Sequence, residues 1–466
     1  MNAAYKNLKD LCNQAKYWTE IRYHDRKIRI VGVRKGEISE MSSKHYEGVG
    51  VRVLMDGTWG FASTSDLTPM GLEKALKSAE KMARALQSWK KGKIKLAPTD
   101  RLAKGIFVLP GFEELNQMPM EQKFNYVREA EQKIRKSSQK IESAICQYSE
   151  IFEDKIILTT DGADSQIQLV RPELKLIAFG ADGSKRTRGS EAVGSTGSWE
   201  CLFRNKKTEE LIDGAVSNAV ELLHAPEGEG GKKKVILSPS MVGLLSHEAI
   251  GHTVEADFVN SGSVAAGKLG ETVASPLVNL CDSGQSEYTS GAGGSLPVDD
   301  EGVLTEKTDV IRNGKLVGYL HSRETAGQYG VQPTGNARAW EFNDEPLIRM
   351  RNTYIEPGKD KLENMISGIE DGYFVDGPGG GQADATGEFM FGATKVRKIQ
   401  NGKLGAFVQT LTVSGSAFEV LKSVDAVSSD FQWDLGAGYC GKGQMAKVDA
   451  GGPYLRCEML IGGKQK

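Results

Sequence analysis

Residues 226–234 read PEGEGGKKK, and how the chain divides depends on that stretch. Proline fixes φ and removes a donor, the glycines loosen the backbone, and three lysines in a row favour solvent. A packed element does not run through such a sequence. We therefore expect two domains, residues 1–230 and 231–466.

Downstream, KKVILSPS (233–240) supplies a short apolar strand and then the start of a helix. Beyond that helix the chain breaks into short strands and glycine-rich turns. Two segments, DVIRNGKLVGYL (309–320) and KVRKIQNGKLGAFV (395–408), each centre on Asn-Gly, the strongest short-range hairpin signal. Upstream, residues 2–17 fit a short helix and KIRIVGVRKGEISEMSS (27–43) alternates like a strand pair. Val49, Val51 and Val53 point one way before an Asp56-Gly57 turn. Long amphipathic helices are expected near 70–92 and 119–140, strands over 141–200, and a further helix in TEELIDGAVSNAVELLHA (208–225). The expected class is α+β: an N-terminal α/β domain, then a mainly antiparallel β-rich domain with one inserted helix.

The chain has 466 residues, with 59 Lys plus Arg against 61 Asp plus Glu. That balance gives no electrostatic basis for a nucleic-acid surface. No run of about 18 apolar residues is present, so no membrane-spanning helix is expected. The first residues lack the apolar stretch of a signal peptide, and the six cysteines show no paired spacing. Both point to reduced thiols and a cytoplasmic protein.

The inserted helix carries SHEAIGHTVEAD (246–257). A zinc peptidase needs imidazoles to hold the ion, an open coordination position and a carboxylate to move protons. His247, Glu248 and His252 supply those residue types, and on the order of 0.01 chance occurrences of the pattern are expected in a chain of this composition. The spacing is unusual. Residues five apart on a regular helix differ by about 140° in direction, against about 40° for residues four apart. Gly251 offers relief, because glycine lets a helix end or loosen into a π-turn in which i and i+5 face alike. An irregularity is therefore expected at 249–252. For a third ligand, Glu255 and Asp257 are near in sequence, while His321 and Cys440, the latter between glycines in GAGYCGKGQ, are further off.

The loops QPTGNARA (332–339) and RNTY (351–354) offer Asn336, Arg338 and Asn352 as donors that could line a substrate site. VDGPGGGQAD (375–384) lacks the Lys-Ser/Thr ending of a phosphate loop, and DDEG (299–302) lacks calcium-loop spacing.

HEAIGHTVEADFVNSGSVAAGKLGETVAS (247–275) resembles the signature of the TldD branch of the TldD/PmbA metallopeptidases, once described as modulators of DNA gyrase. The likeness continues in SLPVDDEGV (295–303), PTGNAR (333–338), RMRNTYIEPG (349–358) and YCGKGQ (439–444), and reaches GVGVRVLMDGTWGFAS (48–63). It implies that His247, His252 and Cys440 bind Zn2+ and that Glu248 is the catalytic carboxylate. It also implies unfolded or modified peptides as substrates and a dimer, either of identical chains or with a related subunit. The alternative is a non-catalytic peptide-binding or regulatory subunit with a structural metal site.

Overall fold

The computed structural model describes residues 4–89 and 92–463. Positions 2–3 and 90–91 of the expected helices lie outside the described residues.

The first half is built on long strands: β1 (Trp18–Arg34), β2 (Glu37–Met55), β3 (Thr58–Thr64), β4 (Lys104–Val108), β5 (Ile141–Thr159), β6 (Asp164–Asp182) and β7 (Lys185–Gly194). Their order is β3-β2-β1-β5-β6-β4, with β7 also on β6. Only β4 runs parallel to its neighbour. The β2–β3 turn places Asp56 and Gly57 at φ 48° and 81°, the left-handed pair that matches strand twist in a two-residue hairpin. On one face, Val49, Val51, Val53, Ile21 and Tyr23 pack beneath helices Tyr5–Gln14 and Pro69–Leu86. Helices Met120–Lys136 and Thr208–Glu221 cover the far end of the same sheet.

The opposite face of β1 is charged and buried. Glu20, Arg22, His24 and Arg26 alternate with the apolar set and are at most 2% exposed. Their partners come from neighbouring strands and from the second half: His24 meets Glu153 on β5 (3.0 Å), and Arg22 donates to Glu341 O (3.3 Å). Arg52 on β2 donates to both Glu20 (2.7 Å) and Glu301 (2.8 Å), and Lys155 on β5 donates to Asp300 (3.0 Å). The DDEG segment is thus a turn, but a buried one: Asp299 Oδ1 accepts the N–H groups of Glu301 and Val303. Buried charges persist only when paired in this way, since each pays a desolvation cost of several kcal/mol.

In the second half, strands Gly231–Leu237, Leu455–Gly462, Leu411–Ser416, Glu388–Gln400 and Asp371–Ala383 pair in a ring that closes on itself. A second sheet includes Leu280–Ser283, Asn352–Ile355 and Asp449–Gly452. Pairing is mainly antiparallel, as expected. Two pairs depart from it: Asp371–Ala383 with Gly231–Leu237, and Asn352–Ile355 with Asp449–Gly452. Both expected Asn-Gly hairpins are present, with Asn313 and Asn401 at φ 49° and 51°. The expectation of one inserted helix is too spare, because short helices also form at Arg323–Tyr329, Leu362–Ser367 and Ala417–Lys422. The class is α+β. Among the described residues no helix is long and apolar enough to cross a membrane.

Candidate metal centre

The motif helix starts at Pro239, with Ser238 as N-cap. The Ser238 hydroxyl accepts the Met241 N–H, and proline at the first position costs no hydrogen bond. Regular α-helix ends at Leu244. From Leu245 to Gly251 the backbone is a π-helix, and His252–Val254 is one 3₁₀ turn. The His252 N–H donates to His247 O, a five-residue bond that puts the two rings on one side. The expected irregularity is real and begins earlier than Gly251.

Gly251 serves this turn through space. A Cβ there would lie 1.9 Å from Met350 Sδ, and Met350 is fully buried. Gly251→Ala should therefore overpack the core and cost about 1–3 kcal/mol; thermal unfolding of the variant checks this, and a melting temperature within 1 °C of wild type would contradict it.

His247 is 4% exposed, and neither of its ring nitrogens has a hydrogen-bond partner. Buried imidazole nitrogens are rarely left so. The His252 ring lies 5.3 Å away, centre to centre, at 80° to it. Cys440 Sγ lies 3.1 Å from His252 Nε2. One ligand atom from each of His247, His252 and Cys440 falls within 4.8 Å of the others. Burial alone would raise the Cys440 thiol, but the proximity of the His247 ring and the contact with His252 outweigh it and hold it down to about 4. Burial would likewise lower His252, yet Cys440 and Glu255 hold it up to about 10.

Two imidazoles and a thiolate suit zinc better than magnesium or calcium, which prefer oxygen. Three protein donors leave a fourth position open, the arrangement of a catalytic site; a structural site would close with four. Glu248 is adjacent, with its side chain 34% exposed and Oε2 3.9 Å from His252 Nε2. It opens into a cavity of about 230 Å³ lined also by Thr253, Phe258, Ser263, Ala383, Asp384 and Gly441.

The other third-ligand candidates are occupied elsewhere. Glu255 accepts from His252 Nδ1 at 3.1 Å, on the side of the ring away from Cys440, and Asp257 pairs with Lys442. His321 meets Thr325 and the rings of Tyr319 and Tyr329, and burial pushes it down to about 4.

The expected substrate donors are corrected by the structure. Asn336 is fully buried and donates to Asp282 and to Arg349 O. Arg338 donates to the carbonyls of Met350 and Lys447. Asn352 donates to Gln285 O and accepts the Gly294 N–H. All three are buried, donate to backbone carbonyls in a region of irregular chain, and do not line the cavity beside Glu248. Sequence reasoning also missed Arg349, whose guanidinium donates to Cys440 O and Gln444 O, both at 2.7 Å, and so holds the strand Tyr439–Gly441 that presents the sulfur. A fully buried arginine in RMRNTY gives no signal of its distant acceptors.

Three family models match the chain: PmbA/TldA metallopeptidase domain 1 over residues 19–83, the central domain over 113–223, and the C-terminal domain over 230–463. A metalloprotease of Methanothermobacter thermautotrophicus is 34% identical, covering 98% of this chain and 97% of its own length. A protein of Saccharolobus solfataricus named zinc metalloprotease TldD homolog is 27% identical over 94% of this chain and 96% of its own. The crystal structure of TldE from Thermococcus kodakarensis shares the fold, with a TM-score of 0.79, 21% identity, and coverage of 99% of this chain and 100% of that one.

Proposed function

Because the chain belongs to the PmbA/TldD metallopeptidase family, we propose that it is a zinc peptidase acting on extended or unfolded peptides, with His247, His252 and Cys440 as ligands and Glu248 as proton carrier. The observation that supports this reading most is the convergence of three donors, one of them 188 residues away in sequence, beside a carboxylate facing a cavity.

Zinc, when bound, supplies Lewis acidity to the scissile carbonyl and to water. The chain's own residues do the rest. Glu248 accepts a proton from the attacking water and delivers it to the departing amine nitrogen. The cavity walls formed by buried Thr253 and Ser263 and half-buried Phe258 limit competing water. Among the described residues the strand Tyr439–Gly441 pairs with Met445–Lys447 alone, and its Gly441 lines the cavity; a peptide main chain laid beside Gly441 is held as an extended segment with little regard to sequence.

The same reading includes a dimer, with a second copy or with a related subunit such as the TldE-like fold above. The six cysteines, none of them in a disulfide, fit a cytoplasmic protein.

The test is cleavage of an unfolded protein followed by mass spectrometry. Hydrolysis should stop with a chelator and return with zinc. Cleavage that persists in the metal-stripped protein would overturn the proposal. So would an absence of cleavage in zinc-loaded protein, whether alone or mixed with the related subunit.

A further inference from the structure

Two chain segments that bear candidate ligands meet at a single carboxylate. Glu255 follows the His252 turn in extended backbone. Its N–H donates to His252 O (3.3 Å), and the next residue donates to Leu320 O (2.9 Å). The carboxylate is therefore launched from a fixed point, and its side chain is fully buried. Oε2 accepts from His252 Nδ1 at 3.1 Å and from Lys442 Nζ at 2.9 Å. The ammonium also donates to Asp257 Oδ1 (2.8 Å) and Ile348 O (3.1 Å), and lies 4.3 Å from the centre of the Phe258 ring. With three acceptors for three protons, Lys442 is held in one orientation.

Lys442 stands two residues beyond Cys440. We infer that Glu255 and Lys442 are positioning residues for the metal centre: the carboxylate sets which nitrogen of His252 faces inward, and the ammonium straps the Cys440 segment to that same carboxylate. This rests on the reading of His247, His252 and Cys440 as zinc ligands.

The first part follows from imidazole chemistry. In the neutral form that metal binding requires, a ring that donates through Nδ1 keeps its lone pair on Nε2, and Nε2 is the nitrogen 3.1 Å from the sulfur. The second follows from slack in the backbone. Gly438, Gly441 and Gly443 surround Cys440, and a Cβ added at Gly441 or Gly443 would meet nothing within 4 Å. Packing alone does not fix such a loop, and ordering it on ion binding would cost affinity. The strap removes much of that cost in advance.

The experiment is a zinc competition titration on the full chain, with zinc as the only probe. It compares wild type, Glu255→Gln and Lys442→Met, each also in a Cys440→Ala background. Glu255→Gln should weaken zinc binding about 10–100-fold, the usual cost of losing such a partner, and should keep part of that loss without Cys440, because it acts through His252. Lys442→Met should weaken binding about tenfold in the parent and change nothing in the Cys440→Ala background. Lys442→Gln replaces it if the methionine variant does not fold, with the same pattern expected. An equal loss from the lysine change in both backgrounds, or affinity within twofold of wild type for Glu255→Gln, would overturn the inference. Wild type that takes up no zinc, or His247→Ala that binds as well as wild type, would instead refute the metal-centre reading on which it stands.

Discussion

Glu248→Gln should retain zinc at the wild-type level and lose about 10²–10⁴ in kcat, the contribution a positioned general acid–base makes. The amide has the carboxylate's size and can still accept a hydrogen bond, so the cavity it faces keeps its shape. It cannot take a proton from water. The metal should be unaffected because Glu248 is not among the three converging donors and its Oε2 sits 3.9 Å from His252 Nε2, beyond hydrogen-bond reach. KM should change little, since the loss falls on the transition state alone. Elemental analysis and steady-state cleavage of one unfolded substrate suffice to check it. Near wild-type turnover would remove Glu248 from the mechanism; loss of zinc along with activity would make it a ligand.

How much of this was legible in the sequence differs from residue to residue, for identifiable reasons. The π-turn was legible because it is local: two histidines five apart with a glycine between them leave a regular helix no way to bring the rings together. Valines at 49, 51 and 53 were legible as core for the same reason, since period-two patterning is a property of one strand. The opposite face of β1 was not. Alternation marks Glu20, Arg22, His24 and Arg26 as polar, but a polar face reads alike whether it meets water or a buried turn of acids 280 residues on. Asn336, Arg338 and Asn352 were misplaced by a related ambiguity. Polar residues among glycine and proline suggest exposed loops, yet irregular backbone buried between two sheets must find donors from side chains, and these three provide them. Asn336 and Asn352 have no measurable exposure. The sulfur was the hardest case. The glycines around Cys440 set it apart from Cys281 and Cys457 only weakly, and it was the resemblance to the family that raised it from one candidate among several.

That last point makes Cys440→Ala the sharper test of the metal centre. Zinc affinity should fall by more than the roughly 10–100-fold expected for loss of a supporting partner, because a thiolate bond is removed outright. Hydrolysis at limiting zinc should disappear with it. The cause is specific to position. Cys440 is 4% exposed and 3.1 Å from His252 Nε2, and its thiol is held down to about 4, so it already favours the anionic form that a metal requires. Cys457, in strand Leu455–Gly462, is equally buried, but burial pushes its thiol above the usual range. Cys457→Ala should thus cost stability on the scale of an ordinary core truncation, about 1 kcal/mol, and leave zinc untouched. The pair separates loss of a ligand from loss of packing, with thermal unfolding of the chelated proteins as the common reference. Should Cys440→Ala hold zinc as tightly as Cys457→Ala, the sulfur is only a neighbour of the two imidazoles, and the third donor must come from outside this cluster.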